Sequence, residues 1–280
     1  MEKYCDLHTH SIFSDGTMSP EELVDIAIER GISALALTDH NTADGLARFV
    51  KYADKRGLEV APGVEFSVDY NGRELHLLGL FIGSEDYSAV SELMNEANRR
   101  KEESNIALID ALDRAGIKLD YQRIKDSTQS GRINRAHIAT AMVEAGYVKD
   151  RAEAFEKYLS PSKGFYKEPQ RLTALEIIDF IKSIGAVSVL AHPFLNLDYE
   201  GLRAFLPMAK ARGLVGMECY YSTYDDKTRE LSLALAEEFS LIPSGGSDYH
   251  GANKPDIDLG SGKGNLRVPY ECFCRLKNSM

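Results

Sequence analysis

Asp6-Leu7-His8-Thr9-His10-Ser11-Ile12-Phe13-Ser14-Asp15-Gly16 concentrates metal-binding side chains in one short stretch. Residues 4–7 read as a short buried strand, and the polar residues follow where it stops. His8 and His10, at i and i+2 on extended backbone, point to the same side. One divalent ion could take both imidazoles, and Asp15, five residues on, could serve it or a neighbouring ion. His-x-His pairs also arise on plain surface strands. Whether this one does chemistry depends on what the rest of the chain brings to it.

The elements that would position these groups have a βα rhythm. Ser19-Pro20-Glu21-Glu22 is a capping box with proline at the first helical position, and Gly31 stops the helix. An apolar strand over 34–38 ends in Asp39-His40. A helix over 42–56 follows, then a strand over 59–64 ending in Glu65. Later, Thr173 caps a helix stopping at Gly185, and a strand over 186–191 ends in His192-Pro193. A helix over 202–212, a strand over 214–217, a helix over 228–239 and a strand over 241–246 lead into Ser247-Asp248-Tyr249-His250. Short apolar strands alternating with capped helices imply a parallel sheet. Seven strand candidates predict an α/β fold, a closed or nearly closed (β/α) barrel, whose chemistry sits where strands end.

His76 lies inside a strand and needs a different argument. Asn71-Gly72 is a two-residue hairpin turn. Counting back from it sets Tyr70 opposite Arg73, Val68 opposite Leu75 and Ser67 opposite His76. Glu65 is then a diagonal neighbour of His76, roughly 7 Å away at the backbone, and the two could bind one ion.

Between 84 and 167 the rhythm disappears. A long helix over 88–115 and shorter ones over 135–146 and 150–159 read as a helical insertion over the barrel mouth, so the barrel domain comprises 1–83 and 168–280. Arg132, Arg135 and His137 stand at the head of an insertion helix, where free N–H groups and guanidiniums could hold phosphate. Tyr166 and Lys167 return toward the barrel and could flank a substrate.

Composition narrows the function. The chain has 280 residues, 44% hydrophobic and 27% charged, and no apolar run approaches a membrane span. Four scattered cysteines make no disulfide framework, and a reduced, cytoplasmic protein is expected. A net charge of −10 argues against binding extended duplex nucleic acid. It leaves room for a small phosphorylated ligand, because bound cations make a local positive pocket.

Five of the seven histidines fall at the ends of predicted strands, a distribution hard to reach by chance. Imidazoles and carboxylates without cysteine suit zinc, manganese or iron. Nine such ligands are too many for one ion; two or three clustered ions would fit, with Glu65 bridging.

The segments Asp6-Leu-His-Thr-His-Ser11, Leu37-Thr-Asp-His40, Gly63-Val-Glu65, His76, Ala191-His-Pro193 and Gly246-Ser-Asp-Tyr-His-Gly251 resemble the PHP family, named for polymerase and histidinol phosphatase. Ser14-Asp-Gly16 followed by Ser19-Pro-Glu-Glu22 is similar to its small phosphoesterases with a helical insertion, among them 3′,5′-nucleoside bisphosphate phosphatases and 5′→3′ oligoribonucleotide exonucleases. The resemblance implies a distorted seven-stranded barrel. It implies one ion on His8, His10, Glu65 and Asp248, a second on Glu65, His76 and His192, and a third on Asp15, His40 and His250. Glu65, Asp248, His192 and His250 would carry catalysis, with Asp39 behind them orienting an imidazole. The expected reaction is hydrolysis of nucleotide phosphomonoesters, or of short 5′-phosphorylated RNA, by a metal-bridging hydroxide. A histidinol-phosphate-type phosphatase is the alternative within the family, although those relatives tend to have His where this chain has Asp15-Gly16. A non-catalytic metal-binding PHP module and a C–N hydrolase on a similar barrel are further alternatives. Every ligand position is filled, and no lysine ends a strand to bridge metals.

Overall fold

The computed structural model describes residues 3–128, 131 and 133–280. Strand β1 (Tyr4–Asp6) leads through the histidine loop to helix α1 (Pro20–Glu29). The capping box forms: Ser19 Oγ accepts from the Glu22 amide, and Glu22 Oε2 accepts from Ser19 N–H at 2.7 Å. After β2 (Ala34–Leu37), helix α2 (Leu46–Arg56) starts four residues later than expected. Asn41, at φ 51°, donates its N–H to Glu65 O, and its side chain accepts from Ser67 N–H, both at 2.9 Å. The backbone after His40 is thus tied to the next strand and cannot coil.

Strands β3 (Glu59–Tyr70) and β4 (Arg73–Leu80) meet at Asn71-Gly72, which takes the positive φ values (52° and 76°) that such a turn needs. Their register pairs Tyr70 with Arg73, Val68 with Leu75 and Ser67 with His76, as the turn chemistry predicts. Helices α3 (Tyr87–Arg114), α4 (Tyr121–Asp126), α5 (Arg135–Glu144) and α6 (Arg151–Ala154) follow, the last continuing into a wider turn over Phe155–Leu159. The chain returns through α7 (Ala174–Ser183), β5 (Val187–Leu190), α8 (Pro193–Asn196), α9 (Tyr199–Arg212), β6 (Gly216–Tyr221), α10 (Asp226–Glu238) and β7 (Ile242–Gly246). It ends in β8 (Val268–Pro269) and α11 (Tyr270–Lys277).

Among the described residues the eight strands form one sheet, ordered β7-β6-β5-β4-β3-β2-β1-β8. Neighbours are parallel except that β4 is antiparallel to β3 and β5, and β8 to β1. The sheet curls into a nearly closed barrel. Leu7 N–H donates to Gly245 O (3.1 Å), Asp248 N–H to His8 O (2.8 Å) and His10 N–H to Tyr249 O (2.9 Å), so the end of β1 is joined to the end of β7. Seven strands make the circuit, and β8, only two residues long, pairs with the start of β1. Cys5, Ala34, Ala36, Ala61, Leu78 and Val189 fill one core, which α11 joins with Phe273 and Leu276. Burying each large apolar side chain of this kind contributes about 2 kcal/mol. Cys5, Cys219 and Cys272 are buried and Cys274 half-buried, all as free thiols.

The chain divides into two compact units, one of residues up to Ser91 with Arg171–Met280, the other Glu92–Gln170. The latter has its own core around Leu108, Leu112, Ile138, Met142 and Leu159. Its helices α4, α5 and α6 are capped by Asp120, Asn134 and Asp150.

Candidate metal centre

Two buried aspartates hold the histidine loop in shape. Asp6 accepts from Ser247 N–H (2.8 Å), Ser247 Oγ (2.5 Å), Gly260 N–H (2.7 Å) and His8 N–H (3.3 Å). Burial pushes its carboxyl up, and these hydrogen bonds draw it back. Asp39 accepts from Ser11 N–H (2.8 Å), Ser11 Oγ (2.6 Å) and Ser14 Oγ (2.6 Å). The sequence suggested that Asp39 orients an imidazole; its oxygens fasten the loop, and Ser14 Oγ, which donates to it, lies 3.5 Å from His10 Nδ1. Close approach makes a glycine necessary at the barrel seam, where a Cβ on Gly246 would stand 2.4 Å from His8 Cβ.

Glu65, on β3, is the centre of the cluster. Its Oε1 lies 2.7 Å from His76 Nδ1 and 3.0 Å from His192 Nε2. Its Oε2 lies 3.2 Å from both His8 Nε2 and His10 Nε2, and 3.1 Å from His40 Nδ1. Asp248 Oδ1 stands 3.2 Å from His10 Nε2 and 3.4 Å from His250 Nδ1, and Asp15 Oδ1 stands 3.2 Å from His250 Nε2. Three overlapping groups have ligand atoms within 4.8 Å of one another: His8, His10, Glu65 and Asp248; His40, Glu65 and His76; and His10, Asp15, His40 and His250. These groups hold eight of the nine residues singled out in the sequence, and the ninth, His192, joins them through Glu65. His10 also approaches the group around Asp15, and His40 stands between Asp15 and Glu65.

Residues that sequence reasoning missed determine which ring nitrogens face inward. Glu218, inside β6 and fully buried, takes His8 Nδ1–H at 3.0 Å and the His192 backbone N–H at 2.6 Å. A carboxylate only accepts, so His8 Nε2 is left with a lone pair. Asn196 donates from Nδ2 to Glu74 O (3.0 Å), so its Oδ1 accepts from His192 Nδ1–H (3.1 Å). His250 Nδ1–H donates to Asp248 O (2.8 Å). Each ring thus turns an Nε2 lone pair toward carboxylate oxygens. His8 Nε2 and His10 Nε2 are 3.1 Å apart, and His40 Nδ1 and Glu65 Oε2 are buried without any hydrogen bond. Lone pairs facing lone pairs in a buried site are what a set of metal ligands requires, and the donors present fit divalent ions.

The electrostatics agree. Burial lowers the His8 and His10 imidazoles, but surrounding carboxylates more than offset it, lifting His8 well above its usual range and His10 to about 9. His76 rises to about 10 beside Glu65, against its burial. His40 is driven by burial down to about 3. Glu65, Asp15 and Asp248 are held well below the carboxylate range by neighbouring cations, although burial opposes this. The site demands positive charge. Tyr221 OH (2.7 Å) and Lys254 Nζ (2.5 Å) both donate to Asp248 Oδ2, leaving Oδ1 toward the histidines. His192 and Asp248 adopt φ of 28° and 56°, which non-glycine residues rarely take; such strain concentrates at functional sites.

Of the expected substrate-binding residues, Arg132 lies outside the described residues. Arg135 opens α5; its guanidinium stands 4.3 Å from the Tyr166 ring centre, and Nη1 donates to Leu159 O (3.3 Å). His137 completes the Asn134 cap, with Nδ1 accepting from Asn134 N–H at 3.1 Å. The Lys167 carbonyl accepts from Ser104 Oγ.

Residues 6–171 match the model of the PHP domain. The chain is 33% identical over 251 residues to a 5′-3′ exoribonuclease of Haemophilus influenzae, covering 89% of this chain and 91% of that one. It is 31% identical to a 3′,5′-nucleoside bisphosphate phosphatase of Chromobacterium violaceum, covering 91% and 90%. A crystal structure from Bifidobacterium adolescentis, described as a metal-dependent phosphoesterase, superposes with a TM-score of 0.84 at 27% identity, over 98% of this chain and 96% of the other. With the ligand geometry and these matches together, the chain belongs to the PHP-domain family.

Proposed function

We propose that the protein is a metal-dependent phosphoesterase that hydrolyses phosphate esters of nucleotides, 3′,5′-nucleoside bisphosphates and short 5′-phosphorylated oligoribonucleotides among them. The observation that carries this reading is the convergence of six imidazoles and three carboxylates around Glu65, with His40 Nδ1 and Glu65 Oε2 buried and without a hydrogen-bond partner. Uncompensated, such a cluster costs several kcal/mol. His8, His10, Glu65 and Asp248 would hold one ion; Glu65, His76 and His192 a second; Asp15, His40 and His250 a third. The donor types suit manganese, zinc or iron. Bound there, such ions supply a hydroxide nucleophile at neutral pH and neutralise phosphoryl oxygens.

The chain's own residues do the rest. Glu218 and Asn196 fix the tautomers of His8 and His192. Asp6 and Asp39 keep the histidine loop from shifting. Tyr221 and Lys254 hold Asp248 in one orientation, and Lys254, partly exposed, places a cation at the rim of the cluster where substrate phosphate would approach. The similarity to an exoribonuclease and a bisphosphate phosphatase supports the substrate class. Buried free thiols accord with a reducing, cytoplasmic setting, and no helix among the described residues is long and apolar enough to cross a membrane.

The test is phosphate release from phenyl phosphate, a nucleoside 3′,5′-bisphosphate and a 5′-phosphorylated trinucleotide by protein loaded with manganese. Chelation should abolish release, and restored metal should recover it. His8→Ala or Asp248→Ala should lower bound metal and reduce turnover a thousandfold or more. Activity that survives exhaustive chelation overturns the reading.

A further inference from the structure

A cavity of about 190 Å³ lies between the end of β6 and the segment 265–267. Tyr220, Tyr221, Tyr224, Arg229, Asn265 and Arg267 line it, and no carboxylate appears among its lining residues. The chain as a whole has 43 acidic residues against 33 lysines and arginines, so the cavity is a local reversal of charge. A small space lined by two arginines, an asparagine and tyrosines is suited to an anion.

Both arginines keep donors that an anion could use. The Arg267 guanidinium stands 4.6 Å from the Tyr4 ring centre. Stacking of this kind leaves the in-plane N–H donors available, and among the described residues no carboxylate pairs with it. Arg229 pairs with Asp226 at 2.8 Å, on side chains 36% and 83% exposed. Ion pairs this exposed are weak, so an incoming anion can displace Asp226. The aromatic wall is fixed. Tyr224 OH accepts from Phe194 N–H (2.9 Å), and the Tyr221 and Tyr224 rings meet edge-on at 5.3 Å. Tyr221 is also a wall of the metal centre, with its OH on Asp248 and its ring 5.4 Å from His192.

We infer that this cavity is a binding site for a single phosphate group, held by Arg229, Arg267 and Asn265 and separated from the metal ligands by Tyr221. Its volume is below the roughly 300–1,000 Å³ of pockets that enclose a whole drug-sized ligand, which fits one phosphate with its ester carbons. The group is either a phosphodiester of a bound oligonucleotide or free orthophosphate. The oligonucleotide source rests on the function proposed above; the anion site itself does not.

Equilibrium dialysis of the manganese-loaded protein against radiolabelled orthophosphate counts the sites directly. Wild type should bind one phosphate more per chain than Arg229→Gln/Arg267→Gln, while both hydrolyse phenyl phosphate at equal rates. Arg267→Lys, which keeps the charge, should retain the extra phosphate, and Asn265→Ala should weaken it severalfold. Matching thermal midpoints establish that the variants are folded. If the double variant raises KM for a 5′-phosphorylated trinucleotide tenfold, the group is an oligonucleotide diester; if only the dialysis count changes, it is orthophosphate. Equal counts in wild type and the double variant overturn the site. Failure of wild type to release phosphate from any substrate would instead sink the phosphoesterase reading and leave the dialysis count to stand alone.

Discussion

At the scale of single residues, the nine candidate ligands were legible because histidine at a strand end is conspicuous and its spacing can be counted. Glu218 was not. No histidine or hairpin register singles it out in the sequence, and its importance comes from reaching His8 and the His192 amide from within β6. Glu218→Gln removes the negative charge behind His8 Nδ1–H and should weaken metal affinity tenfold to a hundredfold, as loss of such supporting partners does. Titrating metal into the stripped protein measures it, and unchanged affinity would reduce Glu218 to packing. The partners of Asp39 were hidden for a related reason. It neighbours His40 in sequence, yet its partners Ser11 and Ser14 arrive only when the first loop folds back. Arg135 makes two expectations compete. If it recognises substrate phosphate, Arg135→Ala should raise KM for a nucleoside 3′,5′-bisphosphate tenfold or more and leave phenyl phosphate unaffected. If it serves only its stack on Tyr166, the change should cost about 1 kcal/mol of stability in a urea melt and leave KM alone.

At the scale of elements, local chemistry was readable wherever a turn or a cap dictates geometry. Asn71-Gly72 set the β3–β4 register, and with it the place of His76, to the residue. Ser19 and Thr173 start α1 and α7 where expected. What escaped were elements too short for a period or dictated from outside. β8 has two residues, α4 has six, and the start of α2 is set by hydrogen bonds to β3. β7 illustrates how little room the barrel leaves. Gly246→Ala would drive a methyl into His8 Cβ, Asp6 Oδ1 and the His8 amide, with backbone on one side and a fastened carboxylate on the other. Overpacking of this kind should cost about 3 kcal/mol, read as a lower urea midpoint with loss of bound metal.

At the scale of the whole molecule, the chain buries a cluster of charge that its own cations do not balance. Divalent ions should therefore stabilise the fold. At a hundredfold excess over Kd a ligand of the native state alone adds about 2.7 kcal/mol, about 5–10 °C in a barrel of this size. Manganese should raise the melting temperature by that order and chelator should reverse it; a midpoint indifferent to both would mean the cluster takes up no ion. The join between β1 and β7 has a kinetic corollary. The backbone bonds that close the cylinder are made by Leu7, His8, His10, Gly245, Asp248 and Tyr249, three of which also present side chains to the centre. Opening this seam and releasing an ion are then one event seen from two directions. Deuterium uptake at the amides of His10 and Asp248 should slow on addition of manganese and quicken after chelation, while the amides of α5 keep their own pace. The slowest step in losing an ion would be the unzipping of a barrel stave, so the centre should empty at the rate at which the cylinder breathes.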